Sequence, residues 1–104
     1  MTTVQVTPGI CNLITTVTAE ARSDETVGVA LETDCPNWSK VADQIDPVDP
    51  IAELFKPFPE IGVVKLMDQI PHKSCPMVSA ILKAIEIEAN LALPADVTMR
   101  VSKG

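Results

Sequence analysis

Apolar and polar residues alternate from the start of the chain. Val4 and Val6 are interleaved with Thr3 and Gln5 before Pro8-Gly9 breaks the run, a period-2 pattern that predicts a half-buried strand closed by a turn. Residues 13–19, Leu-Ile-Thr-Thr-Val-Thr-Ala, are rich in β-branched side chains, which suit a pleated backbone. After the polar turn Arg22–Glu25, Val27, Val29 and Leu31 alternate with Gly28, Ala30 and Glu32. Three successive strands with short connections predict an antiparallel meander.

Beyond Glu32 the period lengthens and proline cuts the chain repeatedly. Trp38, Val41, Ala42 and Ile45 share one helical face. Asp46-Pro47 and Asp49-Pro50 restart the chain, predicting a short helix over 50–56. Pro57-Phe58-Pro59 is a loop, and residues 60–70 predict a second short helix stopped by Pro71. The strongest periodicity spans 76–90. There Met77, Ile81, Ile85 and Ala89 recur every fourth residue beside Val78 and Leu82, with Ser79, Lys83, Glu86 and Asn90 opposite. That is an amphipathic helix packed on the sheet. Past Pro94, Val97, Met99 and Val101 alternate with Thr98, Arg100 and Ser102, predicting a fourth strand over 96–102. The expected fold class is α+β: a three-stranded antiparallel meander plus a C-terminal fourth strand, helices packed on one face, in one domain over 1–104.

Composition narrows the function classes. With 46% hydrophobic residues in 104 and a mean hydropathy of +0.22, the chain can build one core and is not expected to be disordered. No apolar run approaches the roughly 20 residues of a membrane span. The first residues lack the basic and apolar regions of a secretory signal, so the expected location is cytoplasmic, without membrane contact. A formal charge of −6 argues against nucleic-acid binding, which needs clustered Lys and Arg. One Trp, two Phe and no Tyr leave no platform for stacking bases. No nucleotide-binding loop, Ser/His/Asp arrangement or His-Glu-x-x-His motif occurs, so no catalytic residue is identified and an enzyme is not the expected class. Glu86 and Glu88, on a helix whose other face is core, read as solvated carboxylates.

The candidate chemistry lies in three cysteines and the only histidine. Two of the cysteines directly precede proline, in Asp34-Cys35-Pro36 and Ser74-Cys75-Pro76, and a helical pattern follows each. Proline favours the first helical position, which predicts Cys35 and Cys75 at N-caps, a setting that stabilises a thiolate. Cysteine caps poorly compared with Ser or Asp, so selection for something else is implied. Cys11 falls in the turn between strands one and two, and Cys35 ends strand three. Because strand two runs back, both lie at one end of the sheet. A long helix whose N-terminus points that way would add Cys75 and nearby His72. Three thiolates with an imidazole suit zinc, and they suit an iron–sulfur cluster equally. Asp34 is a further candidate ligand. Taken singly, each cysteine also reads as a small buried apolar residue, His72 as a surface or capping residue, and Asp34 as a loop residue near a helix start.

The layout resembles the iron–sulfur cluster assembly scaffolds, IscU and the N-terminal domain of NifU, over roughly residues 1–90. In that family the first cysteine lies between strands one and two, the second after strand three and the third at the start of a long helix beside a histidine. Cys11, Cys35 and Cys75 match these places. Ser74-Cys75-Pro76 is also similar to the motif of the TSCPD domain related to ribonucleotide reductases. The signatures Pro8 to Cys11, Asp34 to Pro36, Ser74 to Pro76 and Ala92 to Pro94 resemble those of a small uncharacterised family. The chain departs from the scaffold pattern in four ways. Cys11-Asn12-Leu13 replaces Cys-Gly-Asp, Lys73 and Ser74 separate His72 from Cys75, only Ile70-Pro71 stands near where Leu-Pro-Pro-Val-Lys would be, and the strand over 96–102 is additional. The resemblance implies a small metal- or cluster-binding protein with a carrier, scaffold-like or sensing role and an unspecified protein partner. The alternatives are a thiol-redox or sulfur-transfer protein and a cofactor-free interaction module. In the former, Cys35 or Cys75 would be the nucleophile, another cysteine would resolve it, and His72 would be the base. In the latter, Met77, Ile81 and Ile85 would be core and nothing more.

Overall fold

The computed structural model describes residues 1–104. Strands β1 (Thr2–Val6), β2 (Thr15–Ala21) and β3 (Val27–Glu32) form one antiparallel sheet in that order, as the alternation predicts. Val4 lies opposite Val17, and Val17 opposite Leu31. The cross-strand row through Ala19 and Val29 continues the same face. That face is the floor of the core, while Thr3 and Gln5 on the other face of β1 are exposed. The second strand begins at Thr15 rather than Leu13. β1 ends at Val6, opposite Thr15, so Leu13 and Ile14 have no strand to pair with and join the 7–14 loop. That loop closes where the Asn12 N–H donates to the Gly9 carbonyl at 2.9 Å. Gly9 (φ 100°) and Asn12 (φ 52°) both sit in the left-handed region there, which glycine and asparagine tolerate best.

The two sheet edges are treated differently. On β3, Val27 and Val48 exchange main-chain hydrogen bonds at 2.7 and 2.9 Å, and the Val29 N–H donates to Asp46 Oδ1 at 2.9 Å. Asp46 also accepts from Arg22 at 3.0 and 3.2 Å. The guanidinium crosses Gly28 so closely that a Cβ there would meet Arg22 Nη2 at 2.6 Å. The edge of β1 carries no such cover.

The middle of the chain is a series of short turns of helix. These are α1 (Pro36–Val41) with a 3-10 extension over Ala42–Gln44, then α2 (Pro50–Leu54), a 3-10 turn at Phe58–Glu60, and α3 (Gly62–Lys65) running into a 3-10 turn at Leu66–Gln69. The expected helices over 50–56 and 60–70 are thus shorter and more broken than the pattern suggested. Side chains start and stop each piece. Asp49 caps α2 by accepting from the Ala52 N–H at 3.1 Å. Glu53 accepts from Lys56 at 2.8 Å and from the Gly62 N–H at 3.0 Å, and these bonds, the Lys56 bond foremost, hold its carboxyl below the ordinary range. Lys73 donates to the Met67 and Ile70 carbonyls at 2.6 and 3.1 Å, tying off the last turn.

Helix α4 (Met77–Glu88) buries Met77, Ala80, Ile81, Ala84 and Ile85 in one stripe, mainly above β1 and β2. Trp38, Val41, Ile45, Ile61, Val63, Leu66 and Ile70 from the short helices complete an 18-residue core. Each fully buried Ile side chain contributes about 1.5–3 kcal/mol by leaving water. No helix is long and apolar enough to cross a membrane.

The fourth strand does not form in this chain. Residues 94–104 are exposed throughout and adopt no regular structure, with Val101 91% exposed. A strand exists only against a neighbour's main chain, and this segment lies beside none.

Candidate functional site

Glu88 anchors one end of α4 to the sheet. Its carboxylate accepts from Thr2 Oγ1 at 2.7 Å and from the Ala21 N–H at 2.8 Å, and its side chain is only 12% exposed. These bonds hold the carboxyl below its ordinary value of 4.5, the Ala21 amide being the larger cause and the Thr2 hydroxyl the next. Glu88 is therefore a clamp rather than the solvated surface carboxylate its pattern suggested. Thr2 opens β1 and Ala21 closes β2, so the C-terminus of α4 is fixed at that end of the sheet. Twelve residues of helix span about 18 Å, close to the length of the strands beneath. The N-terminus of α4 therefore lies away from that end.

The end of the sheet where β1 stops, β2 starts and β3 stops carries Cys11 and Cys35, and Cys75 lies just before the N-terminus of α4. Cys11 is exposed on the Gly9–Asn12 turn. Cys35 is the N-cap of α1, with extended backbone, Pro36 following and no side-chain capping bond. Its N–H donates to Thr33 Oγ1 at 3.1 Å, and its carbonyl accepts from Ser39 at 3.0 Å. Thr33 in turn shares a 2.7 Å hydroxyl–hydroxyl bond with Thr15, which also donates to the Leu13 carbonyl at 3.1 Å. The 7–14 loop and the Cys35 segment are thereby stitched together. Thr15 is the one buried polar residue, and no pattern flagged either threonine. Cys75 stands one position further out than its motif suggested. Pro76 is the N-cap of α4, its carbonyl accepting from the Ala80 N–H at 3.1 Å, because the proline ring fits the half-helical junction as well as the first turn. Cys35 and Cys75 are half-buried against the core, and all three thiols are free.

The remaining candidates are peripheral. His72 is exposed in the loop between Pro71 and Ser74, and Asp34 is exposed at the lip of a shallow depression lined by Ile14, Thr16, Glu32 and Thr33. No three side chains among His, Cys, Asp and Glu come close enough together to hold a metal ion. The donors do not converge: Cys35 and Cys75 pack toward the core while Cys11 is exposed on its turn. Three residues into α1 from Cys35, Trp38 is 1% exposed and its indole N–H has no partner.

The structure is that of an α+β domain, a three-stranded antiparallel sheet with helices packed on one face. A model of a family of unknown function, DUF6951, matches residues 2–101, and the chain belongs to that family. No curated protein and no solved structure matches it.

Proposed function

We propose that this protein binds a thiophilic metal, zinc or an iron–sulfur cluster, through Cys11, Cys35 and Cys75, with His72 or Asp34 completing the ligand set. The observation that supports the reading is that the strand order brings the Cys11 loop and the Cys35 cap to one end of the sheet, while Glu88 anchors α4 at the other end, so that Cys75 lies on the side away from that anchor. The donor chemistry fits: thiolates with an imidazole or carboxylate are the ligands of zinc and of iron–sulfur centres. The present spacing does not, and binding requires the Gly9–Asn12 turn to bring Cys11 inward. That turn is joined to the body through the Thr15–Thr33 pair and otherwise packs on little. Free thiols of this kind persist in the reducing cytoplasm, where we expect the protein to act as a carrier, scaffold or sensor.

Anaerobic purification followed by native mass spectrometry and a visible absorption spectrum tests the reading. One zinc per chain, or a sulfide-bridged iron chromophore, is expected, together with a change in Trp38 fluorescence on loading because Trp38 shares α1 with Cys35. A colourless protein with zinc and iron far below one per chain overturns it.

A second reading, a cofactor-free interaction module, is favoured by the run Ile51, Phe55 and Phe58, which are 59%, 72% and 60% exposed within eight residues of each other. Replacing all three cysteines by serine separates the two: folding and cellular complexes would survive under the second reading, and metal retention would be lost under the first.

A further inference from the structure

We infer that residues 96–102 form the fourth strand of the sheet in a second copy of the chain, adding to the open edge of β1 by reciprocal exchange. Two unmatched surfaces carry the inference. The main chain of β1, Thr2–Val6, hydrogen-bonds only to β2, with no bond crossing its outer side. The main chain of 94–104 makes no hydrogen bond at all, although Val97, Met99 and Val101 alternate with Thr98, Arg100 and Ser102 as a half-buried strand would. An open edge and an unpaired strand-patterned segment are each a template for the other.

The rest of the molecule narrows the choice of edge. β3 is closed by Val48 and Asp46, leaving β1. α4 lies mainly over β1 and β2, so a strand added beside β1 would slide its Val97, Met99 and Val101 face under the outer flank of that helix. Asp96 and Arg100 balance within 96–102, so the segment is neutral and meets no net repulsion from a chain whose charge is −6. It also belongs to the family's domain rather than to an appended extension, because the family model runs through residue 101.

Direction selects the second copy. Glu88 roots the C-terminus of α4 beside the start of β1, so the following segment, laid on its own β1, would run parallel to it. A parallel strand on the edge of a small antiparallel sheet, uncovered on one face, is the disfavoured arrangement. A second copy related by a two-fold axis can present its segment antiparallel, and the exchange closes both β1 edges at once.

The test is the mass of the full chain in solution by light scattering and sedimentation, with hydrogen exchange of the 96–102 amides. A dimer with those amides protected is expected. Thr98→Pro and Met99→Pro between them remove whichever amide pairs with β1, and one of the two should weaken dimerisation about tenfold or more, the loss of a main-chain bond and its neighbours. Both variants should keep the buried-Trp38 fluorescence of the parent, since the segment is exposed and makes no main-chain hydrogen bond in the single chain. A full chain that stays monomeric at the highest attainable concentration overturns the inference, whether the segment is then free or lies on its own sheet. So does a dimer of undiminished affinity in both proline variants.

Discussion

Replacing Glu88 by alanine tests the clamp that anchors α4 to the sheet. The substitution removes two charge-assisted hydrogen bonds, from the Thr2 hydroxyl at 2.7 Å and the Ala21 N–H at 2.8 Å. Bonds to a charged group contribute about 1.5–3 kcal/mol each in sheltered settings. The side chain retains 12% exposure and the Ala21 amide can turn to water, so a combined cost near the lower figure, about 2 kcal/mol, is expected. For a domain of this size that lowers Tm by roughly 8–16 °C. The sign with pH follows from the depressed carboxyl. A group whose pKa is lower folded than unfolded contributes its full stability above its ordinary 4.5, and loses it as pH falls through the folded value. Asp24, held low by the Thr26 hydroxyl and amide, and Glu53, held low by Lys56 and then Gly62, add to the same acid loss. Glu88→Gln should therefore be less stable than the parent at neutral pH, with the gap narrowing in acid. Urea unfolding followed by Trp38 fluorescence, at neutral pH and again well below 4, reads both effects. A Glu88→Ala protein within about 0.5 kcal/mol of the parent, the range of an ordinary surface change, together with an unaltered acid profile for Glu88→Gln, would refute the clamp and leave the orientation of α4 without its anchor.

Other expectations follow from single contacts. Ile81→Ala empties a fully buried position and should cost about 2–5 kcal/mol in urea unfolding; a cost under 1 kcal/mol would contradict the packing of α4 on the sheet. Asp46→Ala strips the Val29 amide and Arg22 of their acceptor and should cost about 1–2 kcal/mol, with faster hydrogen exchange at Val29 as the specific sign. Cys11→Ser should leave Tm unchanged, because the side chain is exposed, yet abolish metal retention. Cys75→Ser should lose metal and also some stability, because that thiol packs against the core. Metal retention equal to the parent's in Cys11→Ser would remove Cys11 from the ligand set.

The legible parts of this protein are those where side-chain periodicity and backbone geometry agree locally. The alternations at Val4–Val6 and Val27–Leu31 mark strands because successive side chains on a pleated backbone face opposite ways, and the Met77–Ile81–Ile85 stripe marks α4 because 3.6 residues make a turn. Cys35-Pro36 identifies its helix start for an equally local reason, the preset φ of proline. Local rules fail at 60–70, where four buried apolar residues look like one helix but Lys73 and Glu53, outside the run, terminate and restart it. They fail again at Glu88, whose partners are 86 and 67 positions away.

The candidate site divides along the same line. That Cys11 and Cys35 share an end follows from strand order alone, since an antiparallel meander returns to the same rim every second strand. Where Cys75 lies relative to them depends on how α4 is anchored by one carboxylate finding donors across the sheet, and that the donors form no common centre depends on how the Gly9–Asn12 turn and the two helix starts pack. The segment 96–102 shows the limit most plainly. Its alternation encodes a readiness to be a strand, but hydrogen-bonding partners lie on another piece of main chain, and only the assembled molecule determines whether one is within reach.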